Sequence, residues 1–401
     1  MLAATTPEDD GNSDLLHVLT VPVTVGCQYA RSWVGKYGRS VAEPTSSPLR
    51  AETFVVTAGR PTRCPDAPLN TPIVPASSFV AGGPMEYARE DSPSAHALEE
   101  VIGGLEGGTA TVFSSGMAAA GAAMDLIPLG AIVVAPSAAY TGVAVRLREL
   151  DSIGRIRLRI VDVDSTAAVT DACEGAHLLW LESPTNPLLQ VADLPACIDA
   201  AHAAGALALV DNTFATPMIQ RPLQDGADIV LHSVTKGLSG HSDLLMGALV
   251  ARDLELAERI RFRRVLLGGS TSAFDCYLAL RGIRTLALRV AQAQSSARTI
   301  VDLLHAHPAV SRVRYPGFGT MAAVEVVGGP DAADAVCRST AIWTHATSLG
   351  GVESLLERRR RWALESTTVP ENLIRLSFGI EHADDLWRDL SDALQASLRD
   401  G

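Results

Sequence analysis

From about residue 98 to 250, short apolar runs alternate with helix-patterned segments, and this limits the possible folds more than any other feature. "TATVFSS" precedes the small-residue run "GMAAAGAAMDLI", and "AIVVAPS" precedes "GVAVRLREL". "LRIVDV" and "HLLWLES" follow, then "LPACIDAAHAAG" leads into "ALALVDNT", "DIVLHSVT" and "GALVA". Such alternation predicts βα units, hence an α/β fold with a mostly parallel, doubly wound sheet. Right-handed crossovers gather the carboxyl ends of the strands on one edge, where ligands bind. Within the series Asp193 reads as a helix cap, Pro195 as an early helical residue and Gly205 as the stop. After about 285 a long amphipathic helix ("IRTLALRVAQAQSSARTIVDLLHAH") leads to the short strands "VSRVRYP", "MAAVEVV" and "IRLSFGI" and a final helix, "ADDLWRDLSDALQASL". That texture predicts a smaller α+β domain joined through the long helix.

Composition narrows the function classes. A chain of 401 residues can form a large and a small domain, and 47% hydrophobic with 19% charged residues suits a globular enzyme. The net charge of -12 repels polyanions, so no nucleic-acid partner is expected. The six cysteines are scattered without a C-x-x-C pair, which suggests neither a metal site nor a disulfide framework. No apolar stretch approaches the ~20 residues that span a bilayer, and the start carries Glu8, Asp9 and Asp10, unlike a secretory signal; a cytoplasmic location is expected. The basic run Arg358 to Arg361 reads as a solvated helix end. Residues 1–50, with one β-prone stretch from His17 to Val25, read as an extension that carries no chemistry.

Several polar residues fall at the expected strand ends. Asp211 closes "ALALV", where burying a carboxylate is costly unless a cation pairs with it. An Asx-type turn through Asp211, Asn212 and Thr213 explains it equally well. Lys236 lies in "HSVTKGLSGHSD", and partial desolvation in such a loop makes an amine nucleophilic, although a surface lysine also fits. Ser114, Ser115 and Gly116 open a helix whose free N–H groups and dipole suit a phosphate, as many unoccupied helix starts would. Asn186, beside Glu182 in "LESPTNP", occupies a Pro-bounded turn that needs no function. Taken together, an acid for a pyridinium nitrogen, a Schiff-base lysine and a phosphate cradle are the parts that pyridoxal phosphate (PLP) requires.

Seven stretches stand in the order of a known family: "EYAREDSPSAHALEEVIGGLEGG", "SSGMAAA", "LESPTNPLLQVADL", "LVDNTFATP", "HSVTKGLSGHSDLLMGALV", "SLGGVESL" and "IRLSFGIEHADDL". From about 52 to 398 the chain resembles the Cys/Met-metabolism PLP enzymes of fold type I. These include cystathionine γ-synthase, cystathionine γ-lyase, methionine γ-lyase and O-acylhomoserine sulfhydrylase. The resemblance implies that Lys236 holds PLP, that Asp211 pairs with its ring nitrogen and that Tyr140 stacks on the ring and assists proton transfer. The N–H groups of Gly116 and Met117, with the hydroxyls of Ser233 and Thr235, would bind the phosphate. Tyr87 and Arg89 would reach that phosphate from a neighbouring subunit, and Asn186 would lie near the ring's phenolic oxygen. Arg375 would clamp the substrate's α-carboxylate, with help around Ser348 and Thr347. The implied organisation is an extension over 1–50, an arm over 51–85 contacting a neighbouring subunit, a PLP-binding large domain over 86–285 and a small domain over 286–401. The implied assembly is a homotetramer of active-site-sharing dimers.

Departures from the pattern gather at the substrate's far end. The usual tyrosine after the lysine is Gly237, and "YTGV" replaces "YGGT". Val145 stands where several cystathionine enzymes carry arginine, and Thr347 where they often carry glutamate. "SPS" replaces "NPT" at Ser92 to Ser94, and the small domain omits roughly twenty usual residues after "VRYPGFGT". The expected activity is elimination or replacement at the γ (or β) carbon of a sulfur- or oxygen-substituted amino acid, with a specialised substrate. A methionine γ-lyase or cysteine-conjugate C–S lyase is the alternative, and a catalytically weak assembly partner the alternative of another class. A Rossmann-type nucleotide binder is excluded, since no G-x-G-x-x-G follows the first strand.

Overall fold

The computed structural model describes residues 49–399; the stretch from His17 to Val25, with the rest of residues 1–48, lies outside the described residues. In chain order, α1 (Ala51–Thr57) and α2 (Pro93–Glu106) precede β1 (Thr109–Phe113), α3 (Gly116–Met124), β2 (Ala131–Pro136), α4 (Thr141–Ser152) and β3 (Ile156–Val161). Then come α5 (Thr166–Ala172), β4 (Leu178–Glu182), α6 (Leu194–Ala203), β5 (Leu207–Asp211), β6 (Ile229–Ser233) and β7 (Gly247–Ala251). These strands form one sheet in the order β1-β7-β6-β5-β4-β2-β3, parallel except for β7, which runs against both neighbours. All residues of β2, β4 and β7 are buried, because helices cover both faces of the sheet. Leu179, Leu181, Val210 and Val230 face one apolar core, while Trp180, Leu209, Leu231 and Leu249 face the other.

Local punctuation follows the sequence. The Asp193 carboxylate accepts from Ala196 N at 3.2 Å, Pro195 sits in the first turn of α6, and Gly205 takes φ +75° just beyond its end. α1 docks on its own chain. The Phe54 ring lies so close to Gly104 of α2 that a Cβ there would sit 2.2 Å from it, and Arg284 donates to the α1-end carbonyls of Val55 and Ala58.

The chain continues through α7 (Leu254–Leu267), α8 (Ala273–Ile283) and α9 (Leu286–His305), the expected long helix. There follow β8 (Val310–Arg314), β9 (Met321–Val326), α10 (Gly329–Ser339), β10 (Thr344–His345), β11 (Leu355–Arg358), β12 (Leu373–Ser377) and α11 (Ala383–Ser397). The second sheet has the order β10-β11-β12-β9-β8 and is antiparallel except for the β10–β11 pair. Its core centres on Trp343, which meets Phe378 edge-on at 5.1 Å and donates its indole N–H to Leu386 O. A small apolar cluster of Leu189, Phe214, Met321, Leu349 and Leu373 packs residues beside the first sheet against the second.

One expectation is overturned here. Arg358 to Arg361 are not a solvated helix end: Arg358 closes β11, and Arg359–Arg361 make a single 3-10 turn in which Arg359 is buried. Carboxylates placed nearby by the fold draw Arg359 inward, while Arg361 stays exposed. Among the described residues no helix is long and apolar enough to cross a membrane, and no cluster of His, Cys, Asp or Glu could hold a metal ion.

Candidate active site

Two carboxylates end adjacent parallel strands. Glu182 of β4 and Asp211 of β5 are register partners, so their side chains leave the sheet edge side by side. Burial pushes the Asp211 carboxyl up, while hydrogen bonds from Thr213 and the charge of His232 oppose the shift. Thr213 N donates to Asp211 Oδ1 at 3.0 Å. Glu182 is pushed well above the usual carboxylate range by burial and by its neighbour Asp211. Its Oε2 accepts from Tyr140 N at 2.8 Å and its Oε1 from Asn186 N at 2.7 Å. One buried carboxyl therefore fixes both the start of α4 and the turn that presents Asn186. The Tyr140 ring is half exposed at this edge, and a Cβ on Gly142 would lie 2.8 Å from it and 3.0 Å from Met117 Sδ. Glycine is thus required where Tyr140 and α3 converge.

Lys236 lies three residues beyond β6, in a loop closed by Lys236 N to Ser233 O at 3.1 Å and Gly240 N to Lys236 O at 2.8 Å. Its ammonium donates to Ser348 Oγ at 2.9 Å. Burial, with the Arg375 charge next in weight, lowers its pKa to about 8. On the neighbouring helix, Ser115 caps α3 by accepting from Ala118 N at 3.0 Å, leaving the first-turn N–H groups of Gly116 and Met117 without intrahelical partners. A Cβ on Gly116 would sit 3.0 Å from Ser233 Oγ, so the hydroxyl lies against the helix start and its free N–H groups. The Thr235 hydroxyl is engaged elsewhere, donating to Met246 O at 3.1 Å and accepting from Met246 N at 2.9 Å.

Arg375 reaches this edge from β12 of the other sheet. Its Nη1 donates to Asn186 Oδ1 at 2.9 Å, and its Nη2 to Ser348 O at 2.9 Å and Glu357 Oε2 at 3.3 Å. Burial, with the Arg359 charge next, lowers its pKa to about 10. Ser348 adopts φ +128°, a strained conformation for a side-chain-bearing residue, and so joins Lys236 through its hydroxyl and Arg375 through its carbonyl. Thr347 is exposed beside it.

The structure therefore gathers Lys236, Asp211, Tyr140, Asn186, Gly116, Met117, Ser233, Ser348 and Arg375 at one edge. Tyr87 and Arg89 stand apart. Arg89 donates to Val265 O at 3.0 Å and lies 5.4 Å over the Tyr87 ring, and no hydrogen bond among the described residues ties either to the Lys236 loop. Glu182, Thr213 and Glu357 join the site beyond the residues that the sequence points to. Glu182 had a signal, since it ends "HLLWLE" as Asp211 ends "ALALVD"; the role of Glu357 had none. This donor set fits PLP: a nucleophilic amine, an acid at a strand end, a half-exposed aromatic ring and a helix start facing a hydroxyl.

Known proteins resemble the chain along most of its length. The sequence model of the Cys/Met metabolism PLP-dependent enzymes matches residues 52–395. A cystathionine gamma-synthase of Mycobacterium tuberculosis is 40% identical over 359 residues, covering 81% of this chain and 92% of that protein. A cystathionine gamma-lyase of Bacillus subtilis is 40% identical over 340 residues, covering 77% and 88%. Among solved structures, a cystathionine gamma synthase from Xanthomonas oryzae pv. oryzae superposes with TM-score 0.84 at 35% identity, covering 88% of this chain and 100% of that one. A methionine gamma lyase from Micromonospora echinospora gives TM-score 0.82 at 38% identity, covering 87% and 100%.

Proposed function

The chain belongs to the Cys/Met metabolism PLP-dependent enzymes, and we propose that Lys236 is the residue that carries its cofactor and moves the substrate's protons. The chemistry is PLP-dependent elimination or replacement at the γ (or β) carbon of a sulfur- or oxygen-substituted amino acid. The observation that carries the role of Lys236 is its environment: a partly buried amine lowered to about 8, within 2.9 Å of the Ser348 hydroxyl and electrostatically coupled to Arg375. When bound, PLP supplies a sink for the negative charge that develops on the substrate's α-carbon. Asp211 offers its carboxylate to the ring nitrogen, Tyr140 its exposed ring face, and Gly116, Met117 and Ser233 their donors to the phosphate. Thr235 backs that corner by fixing Met246, and Asn186 shares Arg375 with the substrate. Arg375 would orient the α-carboxylate, leaving the Lys236 amine, lowered to about 8, to take the α-hydrogen. The same amine then serves the β-carbon when the leaving group is on the γ-carbon. Water as acceptor yields a keto acid, ammonia and the released thiol or acid; a thiol as acceptor yields a new thioether amino acid.

A specialised substrate with a small or apolar far end is supported by Val145 on α4 and Thr347, both exposed and uncharged where cystathionine enzymes often present an ion. That favours a methionine- or cysteine-conjugate-type lyase as the second reading. A tetramer of active-site-sharing dimers is supported by the arm and the loop after it, where Leu69 is 84%, Val80 95% and Tyr87 43% exposed. In such a dimer Tyr87 and Arg89 would serve the neighbour's phosphate. Free thiols at Cys173, Cys197, Cys276 and Cys337 support a reducing compartment such as the cytoplasm.

The test is to purify the wild type and Lys236→Ala with PLP and assay S- and O-substituted amino acids with and without added thiol. Lys236→Ala should lose the visible absorbance of the bound cofactor and at least about 10³-fold in turnover. A variant that keeps both would overturn the assignment. Keto acid or thioether product then separates lyase from replacement chemistry.

A further inference from the structure

Arg375 shares one carboxylate, Glu357, with buried Arg359 and exposed Arg361. Glu357, 1% exposed, is the hub. Its Oε1 accepts from Arg361 Nη2 at 2.7 Å and from the Trp362 indole N–H at 2.6 Å. Its Oε2 accepts from Arg359 Nη1 at 2.8 Å and from Arg375 Nη2 at 3.3 Å. Arg359 turns its other edge to Glu365, donating from Nε at 3.0 Å and from Nη2 at 2.6 Å to one carboxylate oxygen. Arg359, Glu365 and Arg375 are all buried.

Charges this deep are tolerated only when paired, so the count matters. Buried Arg375 and Arg359, together with the solvent-facing Arg361, are ion-paired to Glu357 and Glu365: three cations against two anions, one of the cations in contact with water. Glu182, the other carboxyl near Arg375, gives its two oxygens to the backbone donors Tyr140 N and Asn186 N and forms no ion pair within this network. Within this ion-paired set one positive charge is in excess, and Arg375, whose 3.3 Å contact to Glu357 is longer than the 2.8 Å of Arg359 and the 2.7 Å of Arg361, is the cation least neutralised by it. Without Arg359, Glu357 would have Arg375 as its only fully buried cation and would cancel it.

We propose that Arg359, with Glu365, is a charge-setting and positioning pair for the substrate carboxylate: Arg359 occupies Glu357 so that Arg375 keeps its charge for the ligand. The inference rests on the assignment of Arg375 to the α-carboxylate made above. Neither Arg359 nor Glu365 touches substrate; both act through Glu357.

The experiment uses the PLP-loaded protein. KM and kcat are measured for its amino-acid substrate, and equilibrium binding of that amino acid is compared with binding of the amine lacking its carboxylate, followed by cofactor absorbance. Arg359→Met, which reduces the excess to zero, should raise KM on the order of tenfold with kcat changed by less than about twofold. Its affinity for the amine should stay as in the wild type. Arg359→Lys should recover most of the loss, and Glu365→Gln should bind the amino acid at least as tightly as the wild type. The decisive variant is Arg359→Met/Glu365→Gln, which restores the excess of one and should recover affinity although two buried groups are gone. A purely structural role makes that double variant at least as impaired as Arg359→Met, with amino acid and amine weakened alike, and this result overturns the inference. If Arg359→Met does not fold, the double variant and Glu365→Gln decide by the same criterion. A wild type that binds amino acid and amine equally would instead remove Arg375 from the carboxylate, failing the earlier assignment rather than the charge count.

Discussion

At the Lys236 end of the site, geometry is held by backbone. The Lys236 loop closes on Ser233 O, Thr235 braces Met246, Gly142 and Gly247 sit where a Cβ would collide with a neighbour, and one on Gly116 would press on Ser233. At the Arg375 end, geometry is held by side-chain charges that converge from β11, β12 and the turn between them. Backbone and steric constraints leave little room for variation, whereas a network of ion pairs changes its net charge with one substitution. The contrast suggests a reactive end that is fixed and a substrate end that is adjustable. It can be broken by perturbing each end and asking whether the other responds.

The largest effect is expected at Arg375 itself. Arg375→Met removes two charge-assisted contacts to the α-carboxylate and should lower kcat/KM by roughly 10²-fold, mostly through KM. Glu357 keeps Arg359 and Arg361, so the fold should survive, which a thermal unfolding curve would check. An equal fall in kcat with KM unchanged would mean that Arg375 serves the chemistry rather than the grip, and the distinction between the two ends would collapse.

A smaller effect tests the coupling between them. The Lys236 amine titrates at about 8, and only its neutral form attacks the cofactor aldehyde. Uptake of PLP by the cofactor-free protein, followed by absorbance, should therefore rise about tenfold per pH unit below 8 and level off above it. Burial is the first cause of the lowered pKa and the Arg375 charge the second. A cation favours the neutral amine, so its removal in Arg375→Met should move the plateau to higher pH. An unmoved midpoint would separate the two ends electrically.

The same contrast explains what could be read from the chain. The sheet, the long helix α9 and the Lys236, Asp211 and Gly116 positions were legible because each is written in a few neighbouring residues: an apolar run, then a turn. The Arg375 network was not. Arg375 meets Asn186 across 189 residues, and Arg359 reads as a surface charge until the partners that bury it are known. The helix α7 carries no legible apolar stripe, for a related reason. Its buried face includes Arg261 and Arg264, which pair with Asp91 at 3.0 Å and Glu99 at 2.8 Å, so apolar periodicity does not mark it. With two and four residues, β10 and β11 are too short to show a period at all.

The smallest effect concerns the substrate's far end. Val145 lies in the second turn of α4, whose start is fixed by the bond from Tyr140 N to Glu182, and is 37% exposed. Val145→Arg adds a cation to an exposed helical position, so it should cost little stability. An exposed ion pair is worth about 0.2–1 kcal/mol, so kcat/KM for a substrate with a distal carboxylate should rise only about two- to fivefold. An amino acid with an uncharged far end should be unaffected, and the gain should fade in high salt. A change of that size, confined to the charged substrate, would show that the substrate end is tuned by single charges, as the count behind Arg375 implies. If Val145→Arg alters both substrates equally, α4 does not line the far end, and the adjustable region must be sought nearer Thr347.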